Sequence, residues 1–425
     1  MRIGLLNIGD ELLLGKTLNT NAFDLAGWLG ELGHELVFTL AIEDREDVIA
    51  GVLRDVMAGV AGIGALPRCE KLLLTGGLGP TRDDLTRGAV AGFLDVPLEY
   101  NSEAEGWLAE RLGVKPEAIS ESQRQQLYVP RGTLPLRNPA GSACGFSFEL
   151  NGVSLFAFPG VPSEFRAMFD LHCRPSWQRG DAVLMRKRIF TFGLAESRQR
   201  ELLRGFATPE PFRFSSLPSE SGVAIALEAF VANAEVETQK VLLESAWKEL
   251  LSLLPAESIV DLGGATLPQT VFHLLRERDA TVSVAESCTA GAVGYLLTEI
   301  PGSSQTFKQG YLTYANEAKT LLLGVKEDLL KSRGAVSEAV ALAMANGCRE
   351  AANTDYAVAI TGIAGPEGGT PEKPVGLVYI AVCSQKGAEV RRFQFRGDRK
   401  SIRWSSAYAA LNQLRLFIIN DLRKV

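Results

Sequence analysis

Short apolar runs alternate with longer segments of helical spacing through the first part of the chain. Residues 2–8, 71–75 and 154–158 are almost wholly apolar, which predicts strands that are buried on both faces. Residues 21–33 carry apolar side chains at helical spacing and end at a glycine, which predicts a helix with a glycine C-cap. Strands and helices in this order predict a parallel sheet covered on both faces.

The same alternation begins again in the last part of the chain, after a smaller middle section. Strands are predicted at 281–285 and 356–361, with a helix at 337–352 between them. The middle section has two segments that favour strands and two that favour helices. We therefore expect three domains, at residues 1–169, 170–258 (a module with its linker) and 259–425.

Composition favours an ordinary globular protein and argues against several function classes. Hydrophobic residues make up 46% of the chain, charged residues make up 22%, and the formal net charge is −6. An acidic chain of this kind argues against a broad nucleic-acid-binding surface. No apolar stretch reaches the length of a membrane span, and the six cysteines have no paired spacing. We therefore expect a cytoplasmic protein with reduced thiols.

The three histidines are far apart in the sequence, which argues against a histidine-rich metal centre and against a local Ser-His-Asp triad.

Polar turns, most of them rich in glycine, follow the predicted strands of the first section. Glycines let backbone N–H groups approach a phosphate closely, and carboxylates are ligands for a hard divalent cation. These are the parts that a diphosphate-cleaving site requires. The candidate metal ligands are Asp10, Glu11, Asp83 and Asp84. The candidate diphosphate-binding residues are Gly76, Gly77, Thr81, Asn138, Gly141, Pro159 and Gly160.

A structural interpretation of the same acidic residues is equally open. Thr81 and Asp84 have the spacing of a capping box, and acidic residues are favourable at a helix N-terminus without any metal. Asp10 and Glu11 equally suit the start of a following helix.

The first section resembles the molybdopterin-binding-type domain of the competence/damage-inducible CinA family. The resemblance lies in residues 9–15, 20–22, 76–86 and 158–162, whereas Cys144 stands where we expect a proline in that family. It implies a metal-dependent ADP-ribose pyrophosphatase that gives AMP and ribose 5-phosphate, with magnesium, manganese or cobalt as the metal. Because related domains bind molybdopterin, a pterin-binding role for this section stays open.

In the last section, Ser287 follows a predicted strand, where backbone N–H groups at a helix start face outward. A serine that attacks an amide needs a base and donors for the oxyanion, and a desolvated lysine can be the base. Lys319 is the candidate base, and Tyr314 is a candidate proton relay or a group that keeps Lys319 near neutral. Thr361 is a candidate for orienting the substrate or the oxyanion, and Arg399 suits a nucleotide phosphate.

Each of these residues also has a structural interpretation. A serine at such a junction is most often an N-cap, and a lysine is by default a solvated surface residue. Tyr314 could be a core or edge aromatic, and Arg399 could simply lie near the final helix. Cys288 is a rival nucleophile with Glu286 or Lys319 as its base, although buried cysteine is usually inert.

The last section resembles the C-terminal domain of the same family, in residues 285–291, 301–304, 314–319, 334–338 and 360–369. That domain is similar to nicotinamide-nucleotide amidase, which converts nicotinamide mononucleotide to nicotinate mononucleotide and ammonia. The resemblance implies that Ser287 is the nucleophile and Lys319 its base, with Tyr314 and Thr361 assisting and no cofactor. It implies a substrate-binding set of Glu286, Cys288, Thr289, Gly291, Gly362 and Arg399. Ala290 stands where a second glycine is usual, which reduces backbone freedom.

We therefore expect an α/β protein that begins with a molybdopterin-binding-like three-layer domain and ends with an α/β amidase domain. The family's middle module is a small KH-like α+β unit, but this chain lacks the GxxG loop of RNA-binding KH domains there. The predicted function is a bifunctional hydrolase of pyridine-nucleotide recycling that acts on nicotinamide mononucleotide and ADP-ribose. A homodimer is expected, and neither membrane association nor direct nucleic-acid binding is.

Two alternatives remain. The chain could be an amidase whose first domain binds a pterin or a nucleotide without catalysis. It could also be a non-catalytic adaptor in competence or DNA-damage response.

Overall fold

The structure is a computed structural model, and it describes residues 1–58, 66–177, 180–219 and 221–422. Contacts divide the chain into two units, and each unit consists of two stretches of the chain. The first unit contains Met1–Met185 and Phe230–Thr238, and the second contains Arg186–Ala229 and Gln239–Val425. The three-domain division from the sequence stays a prediction.

A six-stranded sheet in the order β2-β1-β3-β8-β7-β6 forms the centre of the first unit. The first four strands in this order are parallel, whereas β7 and β6 run antiparallel to their neighbours. Strands β4 and β5 pair separately. The strands are β1 (Arg2–Ile8), β2 (Glu35–Ile42), β3 (Lys71–Thr75), β4 (Leu98–Tyr100), β5 (Tyr128–Pro130), β6 (Leu134–Leu136), β7 (Gly145–Leu150) and β8 (Val153–Phe158).

The prediction of a parallel sheet is correct for β2, β1, β3 and β8 and wrong for β7 and β6, at one side of the sheet. Strands β7 and β8 are joined by Asn151 and Gly152, whose φ angles are 53° and 79°. An Asn-Gly pair with both φ angles positive is the preferred turn of a two-residue hairpin. The antiparallel edge therefore follows from a local turn that outweighs the βαβ pattern.

Helices cover both faces of this sheet, because alternate strand residues point to opposite sides. Ile3 and Leu5 of β1 pack in one core cluster, and Leu6 and Ile8 pack in the other. The helices are α1 (Asp10–Leu13), α2 (Thr20–Glu31), α3 (Glu46–Ala58), α4 (Thr86–Leu94), α5 (Ser102–Leu112), α6 (Glu121–Arg124) and α7 (Pro162–Met168).

The middle section contains a four-stranded sheet in the order β10-β11-β9-β12. Two of its strands and both of its helices lie where the sequence predicts them, whereas β10 and β12 were not predicted. The elements are β9 (Ala182–Thr191), α8 (Glu196–Leu202), β10 (Arg213–Ser219), β11 (Gly222–Ala232), α9 (Val236–Ser252) and β12 (Ile259–Asp261).

The last section contains a five-stranded sheet in the order β14-β13-β15-β16-β17. Strand β13 runs parallel to β14 and β15, and β16 and β17 form an antiparallel hairpin beside β15. The elements are α10 (Leu267–Arg276), β13 (Val282–Glu286), α11 (Ala292–Thr298), β14 (Phe307–Leu312), α12 (Asn316–Leu323), α13 (Glu327–Arg333), α14 (Glu338–Ala352), β15 (Tyr356–Gly362), β16 (Leu377–Ser384), β17 (Gly387–Gln394) and α15 (Arg399–Leu422).

Two core clusters again lie on opposite faces of this sheet. Val282 and Val284 of β13 pack in one cluster with the last helix, and Ala285 packs in the other with α14. None of the helices in the described part of the chain has the length and hydrophobicity that a membrane crossing needs.

Candidate active sites

The parallel strands of the five-stranded sheet end at one edge, where several predicted catalytic residues lie. Strand β13 ends at Glu286, which is level with Leu312 of β14 and Ile360 of β15. Ser287 follows directly, and its N–H donates to Ile360 O at 3.1 Å. The carboxyl edge of an open α/β sheet is where such folds bind ligands.

Ser287 and Lys319 form a buried pair at this edge. Lys319 Nζ lies 3.3 Å from Ser287 Oγ, 2.8 Å from Thr313 O and 3.3 Å from Tyr314 O. Lys319 is only 1% exposed, so its interpretation as a solvated lysine is wrong. Burial lowers the pKa of the Lys319 ammonium below its ordinary value. A neutral amine with two N–H groups and one lone pair can donate to both carbonyls and accept from Ser287.

The start of α11 is held by Glu286 rather than by Ser287. The N-cap of α11 is Gly291, so the interpretation of Ser287 as an N-cap is wrong. The buried Glu286 carboxylate accepts from the N–H groups of Gly291 at 2.9 Å, Val293 at 3.2 Å and Gly294 at 2.9 Å. These are contacts with backbone, and an anion at this position is favourable.

The serine loop, residues 287–291, contains two consecutive residues with left-handed backbone. The φ angle is 51° at Ala290 and 95° at Gly291, and Ala290 N–H donates to Ser287 O at 3.2 Å. A residue with a Cβ loses roughly 1–2 kcal/mol in this conformation. The alanine that departs from the family motif therefore carries backbone strain within the loop that holds Ser287.

Cys288 is a poor nucleophile in this environment. Burial raises the pKa of its thiol to about 12. A thiol that stays protonated is unreactive, and the carboxylate of Glu286 is already bound to three backbone N–H groups. The geometry favours Ser287 over Cys288.

Tyr314 and Arg399 contact each other at the mouth of the site. Tyr314 is 63% exposed, so its interpretation as a core aromatic is wrong. Its hydroxyl accepts from Arg399 Nη2 at 3.2 Å, whereas its contact with Lys319 is through the Tyr314 carbonyl. Arg399 also donates to Gly365 O at 2.7 Å, which places a guanidinium between the loops after β14 and β15.

The other predicted residues have mainly structural contacts. Thr361 Oγ1 donates to Ala335 O at 2.8 Å, and a Cβ at Gly362 would collide with β16. Thr289 is fully buried, and its Oγ1 has no hydrogen-bond partner among the described residues. Its carbonyl accepts from Arg403 Nη2 at 2.9 Å, so α15 fixes the serine loop.

In the first unit, Gly76 and Gly77 are required by close packing. Their φ angles are 110° and 65°. A Cβ at Gly76 would lie 2.0 Å from Ile8 O, and one at Gly77 would lie 2.2 Å from Thr86 Oγ1. The glycines therefore allow the glycine loop, residues 76–84, to turn tightly over the sheet edge.

The acidic end of the glycine loop binds its own backbone. Asp84 accepts from the N–H groups of Gly79 and Thr81, at 2.7 Å in both cases, and the Thr81 hydroxyl lies between the carboxylates of Asp83 and Asp84. The helix that follows, α4, begins only at Thr86. The interpretation of Thr81 and Asp84 as a helix capping box is therefore wrong, because their hydrogen bonds close a turn.

Asp10 and Glu11 lie in the first turn of α1, next to a third carboxylate that the sequence did not single out. The N–H of Asp10 donates to Asp44, and the N–H of Asp44 donates to Asp10, at 3.3 Å in both cases. Burial and the charges of Asp10, Glu11 and Asp84 raise the pKa of Asp44 to about 6, although a backbone hydrogen bond at Asp10 lowers it. Across the described ranges, no three His, Cys, Asp or Glu side chains converge as a preformed metal-binding group.

Asn138 closes the third glycine-rich turn. Its Oδ1 accepts from the N–H groups of Ala140 and Gly141, and its Nδ2 donates to Ala143 O and Glu164 Oε2. A Cβ at Gly141 would lie 2.1 Å from Glu164 Oε2. Both predicted residues therefore have a structural role in this turn.

Pro159 and Gly160 contribute backbone carbonyls to the sheet edge. Thr75 Oγ1 donates to Pro159 O at 2.9 Å, and Asn21 Nδ2 donates to Gly160 O at 2.9 Å. The ends of β3 and β8 are thus joined to the start of α2.

Several residues of these sites were missed by the sequence prediction. Arg403 lies one helical turn after Arg399, so helical spacing could have indicated it. Asn7 is a polar residue in an otherwise apolar strand, which is itself unusual. Arg87 is buried and donates to Leu78 O and Gly79 O, and nothing in the sequence indicated that contact. The catalytic, binding and metal roles of the predicted residues stay predictions.

Two family models match the chain. One is described as "Probable molybdopterin binding domain" and covers residues 4–179, and the other is described as "CinA C-terminal domain" and covers residues 264–418. These matches confirm the predicted fold class and both resemblances.

Similar proteins cover nearly the whole chain. A CinA-like protein of Citrifermentans bemidjiense is 37% identical over 99% of this chain and 98% of its own length. A CinA-like protein of Geotalea daltonii is 36% identical over 98% of each chain. A solved structure of the competence/damage inducible protein CihA from Agrobacterium tumefaciens is 40% identical, with a TM-score of 0.35, and covers 36% of this chain and 93% of that one.

Proposed function

Since this chain belongs to the CinA family, we propose that it is a bifunctional hydrolase of pyridine-nucleotide recycling. The last section converts nicotinamide mononucleotide to nicotinate mononucleotide and ammonia, and the first section cleaves ADP-ribose to AMP and ribose 5-phosphate. The observation that carries the proposal is the buried contact of 3.3 Å between Lys319 Nζ and Ser287 Oγ.

In the proposed amidase reaction, Ser287 Oγ attacks the carboxamide carbon while the Lys319 amine takes the hydroxyl proton. The same proton then passes to the amide nitrogen as the carbon–nitrogen bond breaks and ammonia leaves. Water hydrolyses the acyl-serine ester and restores the Ser287 hydroxyl. The lowered pKa of Lys319 supports this role, because only the neutral amine can accept the proton.

The backbone N–H groups of Cys288 and Thr289 are the proposed donors for the oxyanion. The neighbouring N–H groups of Ser287, Ala290 and Gly291 are already used within the protein. Preorganised donors of this kind supply a large share of the rate in acyl transfer. Arg399, at the mouth of the site, is the proposed partner of the nucleotide phosphate.

In the proposed pyrophosphatase site, the glycine loop binds the diphosphate. Asp10 and Glu11, with Asp44 beside Asp10, would hold a divalent metal, because magnesium in proteins commonly uses one or two carboxylates together with substrate phosphates. The close contact of Asp10 with Asp44 concentrates negative charge that a divalent cation would neutralise. A bound metal would neutralise the diphosphate and activate water. Asp83 and Asp84 shape the loop through Thr81.

One assay of the purified chain tests both activities. Ammonia release from nicotinamide mononucleotide is expected with or without EDTA, whereas AMP release from ADP-ribose is expected only with magnesium, manganese or cobalt. Ammonia release without any AMP release would support an amidase with a ligand-binding first domain. Turnover of neither nucleotide would contradict the proposal and favour an adaptor.

We also propose that the protein is a cytoplasmic homodimer, as the family resemblance suggests. Light scattering at micromolar concentration should give twice the chain mass of 45.9 kDa. A mass of one chain would contradict this part of the proposal.

A further inference from the structure

The start of α4 contains a buried arginine that the proposed chemistry does not use. Arg87 is the second residue of α4 and is only 6% exposed, whereas arginine is almost never fully buried unless it is paired. Among the described residues, no carboxylate forms an ion pair with its guanidinium. Burial lowers the pKa of Arg87, but an arginine side chain stays protonated in proteins. The fold therefore keeps a positive charge in its interior at this point.

The first two residues of α4 bind four consecutive carbonyls of the glycine loop. Thr86 binds the first two, through its hydroxyl at 2.9 Å and its backbone N–H at 3.1 Å. Arg87 binds the next two, one through Nη1 and the other through Nη2 at 2.7 Å. In chain order, the four acceptors are Gly76 O, Gly77 O, Leu78 O and Gly79 O. All four carbonyls therefore point toward the start of α4.

These contacts determine where the N–H groups of the loop point. The C=O and the N–H of a trans peptide group point in opposite directions, and the peptide groups of this loop are trans. The N–H groups of Gly77 and Leu78 therefore point away from α4, and neither has a hydrogen-bond partner among the described residues. The following N–H group, that of Gly79, donates to the Asp84 carboxylate at 2.7 Å. Successive unpaired N–H groups in a turn form a surface that binds phosphate oxygens.

We propose that Arg87 is a positioning residue for diphosphate binding by the glycine loop. It holds the carbonyls of Leu78 and Gly79 toward α4, on the side opposite to the unpaired N–H groups. A carbonyl oxygen carries a partial negative charge, so a carbonyl that turned to the other side would repel the phosphate. The guanidinium suits this role, because its rigid fork holds two acceptors at a fixed separation. The inference rests on the proposed function for the identity of the ligand.

Isothermal titration calorimetry of the full chain with magnesium and α,β-methylene ADP-ribose tests the position of the loop without turnover. In this analogue a CH₂ group replaces the bridging oxygen of the diphosphate, so the diphosphate cannot be cleaved. Arg87→Met removes both donors and keeps an unbranched side chain, and its Kd should rise about tenfold. Arg54→Met is the matched control, because Arg54 of α3 is exposed and its side chain has no partner in the described part of the chain. Equal affinities of Arg87→Met and the unaltered protein would overturn the proposal.

Steady-state kinetics with ADP-ribose separates this role from a general loss of stability. A displaced glycine loop weakens binding of the substrate and of the transition state alike, so the KM should rise about tenfold while kcat changes by less than roughly twofold. Partial unfolding would instead reduce the amount of active enzyme, which lowers the apparent kcat and leaves the KM unchanged. A lower kcat with an unchanged KM in Arg87→Met would therefore contradict the proposal.

Arg87→Lys keeps the test decisive if Arg87→Met does not fold, as judged by circular dichroism. Lysine keeps the positive charge but replaces the rigid fork by one ammonium on a flexible stem. The KM of Arg87→Lys for ADP-ribose should rise about threefold with kcat unchanged. A KM equal to that of the unaltered protein would overturn the proposal in that case.

The positioning role and the pyrophosphatase activity can fail separately. Binding of the analogue that Arg87→Met weakens, without cleavage of ADP-ribose by the unaltered protein, supports the positioning role and contradicts the proposed activity. Cleavage of ADP-ribose with the same KM in both proteins supports the activity and contradicts the positioning role. Failure of the unaltered protein to bind the analogue would contradict both.

Discussion

The two candidate sites lie at equivalent edges of their sheets but are built in opposite ways. In the last section, Lys319 and Glu286 are buried, and each already has its hydrogen-bond partners in the protein. In the first unit, the carboxylates of Asp10 and Glu11 are exposed to solvent, and no preformed metal group exists in the described part of the chain.

This difference indicates where each site obtains its reactivity. Burying a lysine lowers its pKa, so the proposed amidase generates its base from the fold alone. Exposed carboxylates remain accessible to a cation, so the proposed pyrophosphatase depends on the metal that it binds. Substitutions at the amidase site should therefore lower ammonia release without affecting the first unit.

Removing the base should lower ammonia release more than any other substitution except loss of the Ser287 hydroxyl. Lys319→Met keeps the length of the side chain and removes the amine, so ammonia release should fall about 10³-fold. AMP release from ADP-ribose should be unchanged. Lys331→Met is the matched control, because Lys331 is exposed and its ion pair with Glu327 is a surface pair of little energetic value. A Lys319→Met enzyme with full ammonia release would contradict the assignment of the base.

Weakening the anchor of the serine loop should have a smaller effect. Glu286→Gln replaces one of the two acceptor oxygens by an NH2 group, which cannot accept a hydrogen bond. In the place of Oε2, that group would leave the backbone N–H groups of Gly291 and Val293 without their acceptor. Displacement of the loop should lower kcat on the order of 10²-fold, and loss of hydrogen bonds to a charge should lower the unfolding free energy by roughly 1.5–3 kcal/mol.

Glu299→Gln is the control for this substitution, because Glu299 lies at the opposite, C-terminal end of α11, where its side chain accepts from the exposed Tyr295 hydroxyl. Unchanged kcat and unchanged stability in Glu286→Gln would show that the carboxylate does not hold the loop.

The pH dependence of the amidase reports the state of Lys319. Its pKa is lowered from 10.5 by burial, so ammonia release should fall about tenfold per pH unit only below this lowered value. The unfolded chain binds this proton more tightly than the folded chain. Stability should therefore rise with pH between the lowered pKa and 10.5. If the residual activity of Lys319→Met falls at low pH in the same way as that of the unaltered protein, a group other than Lys319 causes the fall.

For the amidase site, the sequence predicted the strands and the main catalytic candidates. It did not predict which atoms of these residues contact each other. Apolar runs located β1, β3, β8, β13 and β15, because buried parallel strands need nearly continuous hydrophobic sequence. The hairpin partners β7 and β17 were missed, since they depend on short turns and are half-exposed strands. Family motifs pointed to Ser287 and Lys319, but no local pattern could show that the backbone of Tyr314, rather than its hydroxyl, contacts Lys319.

The first site was harder to predict, because its residues have contacts that depend on the tertiary fold. Asp44 comes from the loop after β2 and meets Asp10 only when β1 and β2 pair. Asn7 and Asn21 are separated along the chain and share a pocket through the sheet edge. Sequence spacing alone cannot reveal such groups.

The smallest predicted effect concerns the strain at Ala290. Ala290→Gly should raise the unfolding free energy by about 1 kcal/mol, because glycine adopts a φ of 51° without the cost of a Cβ. Ala343→Gly, in the interior of α14, should instead lower it by roughly 0.5–1 kcal/mol. Denaturant unfolding of both variants measures the difference, and a destabilised Ala290→Gly protein would refute the assignment of strain.

Ser287→Ala tests whether the two sites act independently. Ammonia release from nicotinamide mononucleotide and AMP release from ADP-ribose are measured on one preparation, with magnesium present. Loss of the nucleophile should lower ammonia release by about 10⁴-fold or more and leave AMP release at the wild-type rate. Equal loss of both activities would show that the two sites are not independent. Full ammonia release without the Ser287 hydroxyl would exclude Ser287 as the nucleophile.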